Sequence, residues 1–311
     1  MSTPANDIDN PYWRQLRLLV QVLPFVGRET CFGLKGGTAI NLFYRDMPRY
    51  SVDIDLAYLP DGNFETSQRE IDAGLRRIGA QLSAGSPAFG VTFGRGAAGG
   101  LIDTITVHGV DTQIKVEVNP VLRGTVFPVR QLEVREVVSA EFGFADAQVL
   151  SPEDTFAGKL VAALDRQHPR DLFDVKLLFD HEGISDDLLR TFVVYLIGHK
   201  GSLTDVLDPR RKELSGLYHG QFLRMTNEEI PLSVLEEVRE RLIAEVRGRL
   251  DPGLRRLLLS VQRGKPDWSL LGLPGVEHLP AVRWRMLNID KMSREARDRE
   301  VARLEQLLES R

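Results

Sequence analysis

Lys35-Gly36-Gly37-Thr38-Ala39-Ile40 and, soon after it, Tyr50-Ser51-Val52-Asp53-Ile54-Asp55-Leu56 decide how this chain is read. Asp53 and Asp55 alternate with the apolar Val52, Ile54 and Leu56. In a strand, residues i and i+2 share a face, so the two carboxylates point one way and the apolar side chains face a core. Two carboxylates at this spacing suit a hard divalent cation such as Mg²⁺. A solvent-facing strand with two incidental acids is the plainer alternative, but Asp is a poor strand former. The Gly-Gly-Thr turn precedes an expected helix, and its glycines let backbone N–H groups approach a phosphate. Together the two stretches describe a metal-dependent phosphoryl or nucleotidyl transfer site.

A third carboxylate is expected on a neighbouring strand. Glu117 is the best candidate, because Gln113-Ile114-Lys115-Val116-Glu117-Val118 alternates with its apolar residues on one side. A plain polar strand face carrying Lys115 and Glu117 remains an equal reading. Asp103 is the weaker rival, since Thr104 and Thr106 suggest an exposed edge. Further along, Lys159 and Arg166 are seven residues apart and so share a helical face. They suit either a triphosphate tail or a solvated basic stripe. Asp171 and Asp174 lie three apart on one face. Asp171 also reads as a complement to the helix dipole behind Pro169. Spacing alone assigns chemistry to neither acid. His199 follows a helix end, where a surface histidine is common.

The rest of the chain sets limits. With 311 residues it has room for two domains and a large core. Its single cysteine, Cys31, excludes a disulfide framework and a cysteine-based zinc site, and its surroundings read as a buried strand. A net charge of −4 leaves nucleic-acid binding to local patches. The best such patch is Arg239 to Lys265, with eight basic residues against three acidic ones. Residues 1–10 are polar, lack a signal peptide's apolar run and read as frayed. No membrane span is expected, and the cytoplasm is the default location. Periodicity predicts helices at 11–26 and 63–82, strands at 32–34, 52–58, 101–107 and 113–118, and a helix running from the glycine turn to about Arg45. The segment 108–111 reads as a turn, and the glycine-rich 94–100 as a mobile surface loop. Ser151-Pro152-Glu153-Asp154 is a helix start. From there the pattern is helical: 152–166, 169–180, 185–198, 231–248 and 291–310. The division falls near 150, giving a mixed α/β part over 1–150 and a mainly helical part over 151–311.

These pieces resemble the AbiEii/AbiGii toxin family of nucleotidyltransferases, which includes MenT-like toxins of type IV toxin–antitoxin systems. The resemblance lies chiefly in Gly36-Gly37-Thr38-Ala39-Ile40 and in Arg49-Tyr50-Ser51-Val52-Asp53-Ile54-Asp55-Leu56. It continues through Ser151–Lys159, Arg166 and Arg170-Asp171-Leu172-Phe173-Asp174, and through His199 with Leu207-Asp208-Pro209. Where the family often has His-Asn-Arg-Pro, this chain has His199-Lys200-Gly201-Ser202. Pro280–Asn288 resembles a C-terminal block containing a tryptophan. The resemblance implies an α+β fold, with a polymerase-beta-like nucleotidyltransferase core and a helical C-terminal domain. It also implies Mg²⁺, a nucleoside triphosphate donor, an RNA acceptor in the form of a tRNA 3′ end, and a cognate antitoxin. Asp53, Asp55, Lys159 and Asp171 are then expected to be catalytic, and Glu117, on its strand pattern, to be a third metal ligand or base. Gly36, Gly37, Thr38, Ser51, Lys159 and Arg166 are expected to bind the nucleotide.

Overall fold

The computed structural model describes residues 9–86, 88–96, 100–226 and 228–309. The segment expected to be frayed lies largely outside them, as do 97–99 of the glycine-rich loop. The chain divides into two compact units. One is Met1–Thr155 with Leu223–Glu229, and the other is Phe156–Phe222 with Ile230–Arg311.

The first unit opens with α1 (Pro11–Gly27), whose cap Asn10 accepts a hydrogen bond from the Tyr12 amide. β1 (Phe32–Lys35) runs straight into α2 (Gly36–Ala39), which continues as a π-helical turn over Ile40–Tyr44. β2 (Asp53–Tyr58) and α3 (Phe64–Gly85) follow. Next come β3 (Gly90–Arg95), β4 (Ile102–His108), β5 (Gln113–Val118), β6 (Arg130–Glu133), α4 (Glu136–Phe142) and β7 (Asp146–Val149). The seven strands form one mixed sheet in the order β3-β4-β5-β2-β1-β7-β6. β2 pairs with β1 antiparallel and with β5 parallel.

Alternation in β2, β4 and β5 sends Ile54, Leu56, Ile105, Val107, Ile114 and Val116 into the core. There they join Leu16, Leu19 and Leu23 of α1 and Ile71, Leu75 and Ile78 of α3. Burial of this kind stabilises by about 1.5–3 kcal/mol per large apolar side chain. The opposite face of these strands keeps its polar residues.

Four expectations change here. Gly94 and Arg95 belong to β3 rather than to a loop. β4 lies between β3 and β5, so Thr104 and Thr106 mark a polar face and not an edge. Asp103 sits where the β3–β4 register shifts, which removes it from the row of Glu117. Cys31 is a half-buried turn residue ahead of β1, and burial pushes its thiol pKa up.

Among its described residues the second unit is helical. α5 (Pro152–Asp165) enters it at Phe156, and α6 (Pro169–His181), α7 (Asp186–Gly198), α8 (Leu203–Leu207) and α9 (Ser215–Gln221) follow. α10 (Leu232–Arg249), α11 (Pro252–Gln262), α12 (Pro280–Asp290) and α13 (Arg294–Glu309) complete it. No helix among the described residues is long and apolar enough to cross a membrane.

Candidate active site

In the first unit the glycine turn and β2 are fitted to each other. Gly36 has φ +73°, and a Cβ there would lie 2.4 Å from Oδ2 of Asp55. Only glycine accepts both that backbone and that neighbour. A Cβ on Gly37 would meet the Arg49 guanidinium at 2.7 Å and the Ser51 hydroxyl at 3.0 Å. The two glycines thus make room for side chains of the following segment, a role beyond the backbone approach that the sequence suggests.

Thr38 and Ser51 also differ from expectation. Thr38 is fully buried, and its hydroxyl donates to the Asp53 carbonyl at 2.6 Å while pairing with the Ser51 hydroxyl at 3.0 Å. The expected phosphate contact from Thr38 is replaced by a tie between the start of α2 and the start of β2. Buried Asn41 adds a hydrogen bond to the Gly37 carbonyl at 2.8 Å. Buried Arg49 donates to the Tyr50 carbonyl at 2.9 Å. The segment carrying Arg49 and Ser51 is anchored in turn by the Tyr50 amide on the Met225 carbonyl at 2.8 Å. Sequence reasoning misses Asn41, because nothing in its spacing marks a polar group turned inward. It places Arg49 in a motif but gives it no role.

Asp53 and Asp55 lie on one face of β2, as the alternation requires, and both are partly exposed. In register, Asp53 stands opposite Lys115 and Asp55 opposite Glu117 of β5. Glu117 makes an ion pair of 3.7 Å with Lys115. Among the described residues no three His, Cys, Asp or Glu side chains group as a metal site. Mg²⁺ is commonly held by only one or two carboxylates, with substrate phosphates and water completing its shell. The oxygen donors of Asp53 and Asp55 fit that requirement.

In the second unit, Lys159, Arg166, Asp171 and Asp174 form one cluster. Lys159 Nζ lies 2.7 Å from Asp171 Oδ1 and 2.9 Å from Asp174 Oδ2. Arg166 meets Asp171 twice, Nε at 2.5 Å and a terminal nitrogen at 2.9 Å. The side chains of Lys159, Asp171 and Asp174 are 5%, 1% and 0% exposed, whereas that of Arg166 is 59% exposed. Burial works to raise the Asp171 carboxyl pKa. The Lys159 charge and the Arg166 hydrogen bond outweigh it and hold the carboxyl well below the usual range. The basic stripe anticipated for Lys159 is therefore an internal ion-pair network. Asp174 is its unanticipated member, since spacing alone does not reveal which cation an acid meets.

His199 caps α7. Its Nδ1 accepts the Gly201 amide at 3.1 Å, and its Nε2 lies 3.4 Å from Asp165. Burial pushes its imidazole pKa down. The Arg239–Lys265 patch also changes character. Buried Arg239 donates to the Lys212 carbonyl at 2.9 Å. Arg241 stacks over Phe179, and Arg249 meets Asp186 at 2.7 Å. Arg255 donates to the Leu250 and Leu308 carbonyls, and Arg263 pairs with Glu305. Most of these cations hold the second unit together.

The family model described as "Nucleotidyl transferase AbiEii toxin, Type IV TA system" matches residues 17–282. No curated protein matches the chain. Among solved structures the fold is similar to that of MenT4, a nucleotidyltransferase toxin from Mycobacterium tuberculosis H37Rv. The TM-score is 0.58 at 15% identity, over 93% of this chain and 92% of that one. The mixed sheet with its helices is thus shared with a MenT nucleotidyltransferase. With the family match spanning both the glycine turn and the Lys159 cluster, the chain belongs to the AbiEii nucleotidyl transferase toxin family of type IV toxin–antitoxin systems.

Proposed function

We propose that this toxin transfers a nucleotide from a nucleoside triphosphate to an RNA acceptor, the tRNA 3′ end, in a Mg²⁺-dependent reaction. The observation that carries the reading is the fit of Gly36 around Asp55, on the strand face shared with Asp53. Asp53 and Asp55 would hold Mg²⁺, with Glu117 beside Asp55 as third ligand or base. When bound, the metal activates the acceptor hydroxyl and offsets charge on the phosphates.

The protein's own residues do the positioning. Thr38 fixes the backbone at Asp53 through its 2.6 Å hydrogen bond. The Gly36-Gly37-Thr38 backbone offers first-turn N–H groups to the β- and γ-phosphates. Ser51 secures Thr38. Asp171 positions Lys159 and Arg166, the two cations that the family resemblance assigns to the donor triphosphate. In this reading 1–150 is the nucleotidyltransferase core and 151–311 the helical domain. The toxin works in the cytoplasm and is countered by a cognate antitoxin.

One observation favours a second reading, in which the acceptor is a hydroxyl of a protein or small molecule. The basic stretch that suggests RNA is largely spent on internal contacts. The test incubates the protein with each labelled nucleoside triphosphate, Mg²⁺ and total RNA, and resolves the products on a gel. Label in RNA of tRNA size is the expected result. Label confined to protein or small molecules selects the second reading, and no label anywhere overturns both.

A further inference from the structure

Lys35 ends β1 immediately before the glycine turn. Its Cα is in antiparallel register with Asp55, so the two side chains leave the sheet on the same face. The Cβ atoms of such pairs lie about 4.5–5.5 Å apart. On the other side of β2, Lys115 is in register with Asp53. The carboxylate pair is therefore bracketed by one lysine on each neighbouring strand.

The two lysines are not equivalent. Lys115 is 55% exposed and already paired with Glu117. Lys35 is partly buried, and among the described residues its side chain makes no hydrogen bond or ion pair. Taking an ammonium partly out of water without a partner costs free energy. A bound anion recovers it through charge-assisted hydrogen bonds. Lys35 also stands on the side of β2 where the chain turns into α2, whereas Lys115 stands on the β5 side.

We propose that Lys35 binds the phosphate tail of the nucleoside triphosphate donor, while Lys115 stays with Glu117 and leaves donor binding untouched. The proposal rests on the nucleotidyltransferase reading above and adds to it a residue and a side of the sheet.

The experiment measures binding of each nucleoside triphosphate, with Mg²⁺, to wild type, Lys35→Met, Lys35→Arg and Lys115→Met, together with thermal unfolding. Inorganic pyrophosphate and the unphosphorylated nucleoside serve as further probes. Lys35→Met is expected to weaken triphosphate and pyrophosphate binding by about tenfold or more. It should leave nucleoside binding unchanged and the unfolding temperature level or slightly higher, because the Lys35 ammonium has no polar partner in the protein to give up. Lys35→Arg should restore most of the affinity, and Lys115→Met should match wild type. Unchanged triphosphate binding in Lys35→Met overturns the proposal while leaving the enzyme reading intact. An equal loss in Lys115→Met overturns it as well, since the effect is then one of general charge. If wild type binds no triphosphate, the nucleotidyltransferase reading itself fails.

Discussion

The two charged clusters of this toxin are built on opposite principles. On the β2 face, Asp53 and Asp55 are partly exposed, and the chain makes room beside Asp55 by using glycine at position 36. Around Lys159, two carboxylates and an ammonium are sealed from water, and the exposed Arg166 guanidinium supplies the second positive charge. The first arrangement keeps its carboxylates within reach of solvent. The second seals its carboxylates against a shared lysine. A partly exposed strand face and a buried ion-pair network can thus carry the same residue types, and burial tells them apart.

The sharpest way to break this contrast is Lys159→Met. It leaves Asp171 and Asp174 buried without their shared cation, and removing one partner of such a network costs about 3–5 kcal/mol. Thermal unfolding should show a large drop. A variant as stable as wild type, with only a raised KM for the triphosphate, would show that Lys159 serves the proposed donor site and not the packing of the helices. The pH dependence follows from the direction of the Asp171 shift. A carboxyl held below its unfolded value contributes stability above about pH 4, and that stability is lost as pH falls further toward the folded value. In Asp171→Asn, whatever stability remains should decline less than in wild type as the pH falls below about 4.

Asp55→Ala tests the other cluster. Nucleotide transfer should fall by more than the roughly ten- to hundredfold that removing an outer-shell partner costs a metal site. Unfolding temperature should stay level or rise, because one of two neighbouring negative charges is gone. Wild-type transfer rates in this variant would remove Asp55 from the reaction. A marked loss of stability would mean that the two clusters are alike after all.

Much of the first cluster is legible in the sequence because a strand has period two. Asp53 and Asp55 declare their shared face, and so does Glu117 on its own strand. Register does not show in periodicity, so the pairing of Asp55 with both Lys35 and Glu117 emerges only in the folded sheet. The roles of Gly36 and Gly37 are hidden for a related reason: the atoms they make room for come from 12 to 19 residues later. The second cluster is less legible. Lys159 and Arg166 share a helical face, but the acids that claim Lys159 arrive on α6, and helical spacing does not say which side chains will be sealed between helices. Short elements such as β6, β7, α4 and α8 escape sequence reading because four to seven residues carry too little periodicity to stand out.

Gly36→Ala sharpens the comparison within the backbone itself. Gly36 and Gly100 share φ +73°, but among the described residues a Cβ at Gly100 meets nothing within 4 Å. Both variants should lose about 1–2 kcal/mol from the left-handed backbone alone. Only Gly36→Ala also displaces the Asp55 carboxylate, so only it should abolish transfer beyond its effect on stability. Paired activity and unfolding measurements check this. Equal activity in the two variants would show that the closeness of Gly36 to Asp55 has no part in the chemistry.

The smallest effect is expected at Arg256, an exposed residue in the basic stretch. Its neighbour Arg255 is tied to the Leu250 and Leu308 carbonyls, so replacing both would mix unfolding with any weakening of RNA binding. Arg256→Glu avoids that, and exposed substitutions of this kind usually stay within about 0.5 kcal/mol. If the basic residues of 239–265 serve the helices rather than an acceptor, RNA affinity should barely change. The slope of log affinity against log salt should then stay the same, because Arg256 neutralises no phosphate. If it does neutralise one phosphate of a single-stranded RNA, its replacement would reduce that slope by about 0.7. RNA-binding curves at two salt concentrations separate the outcomes. A flatter slope in Arg256→Glu would return this stretch to the acceptor surface and make it a second charged region, after the β2 face, with a proposed ligand.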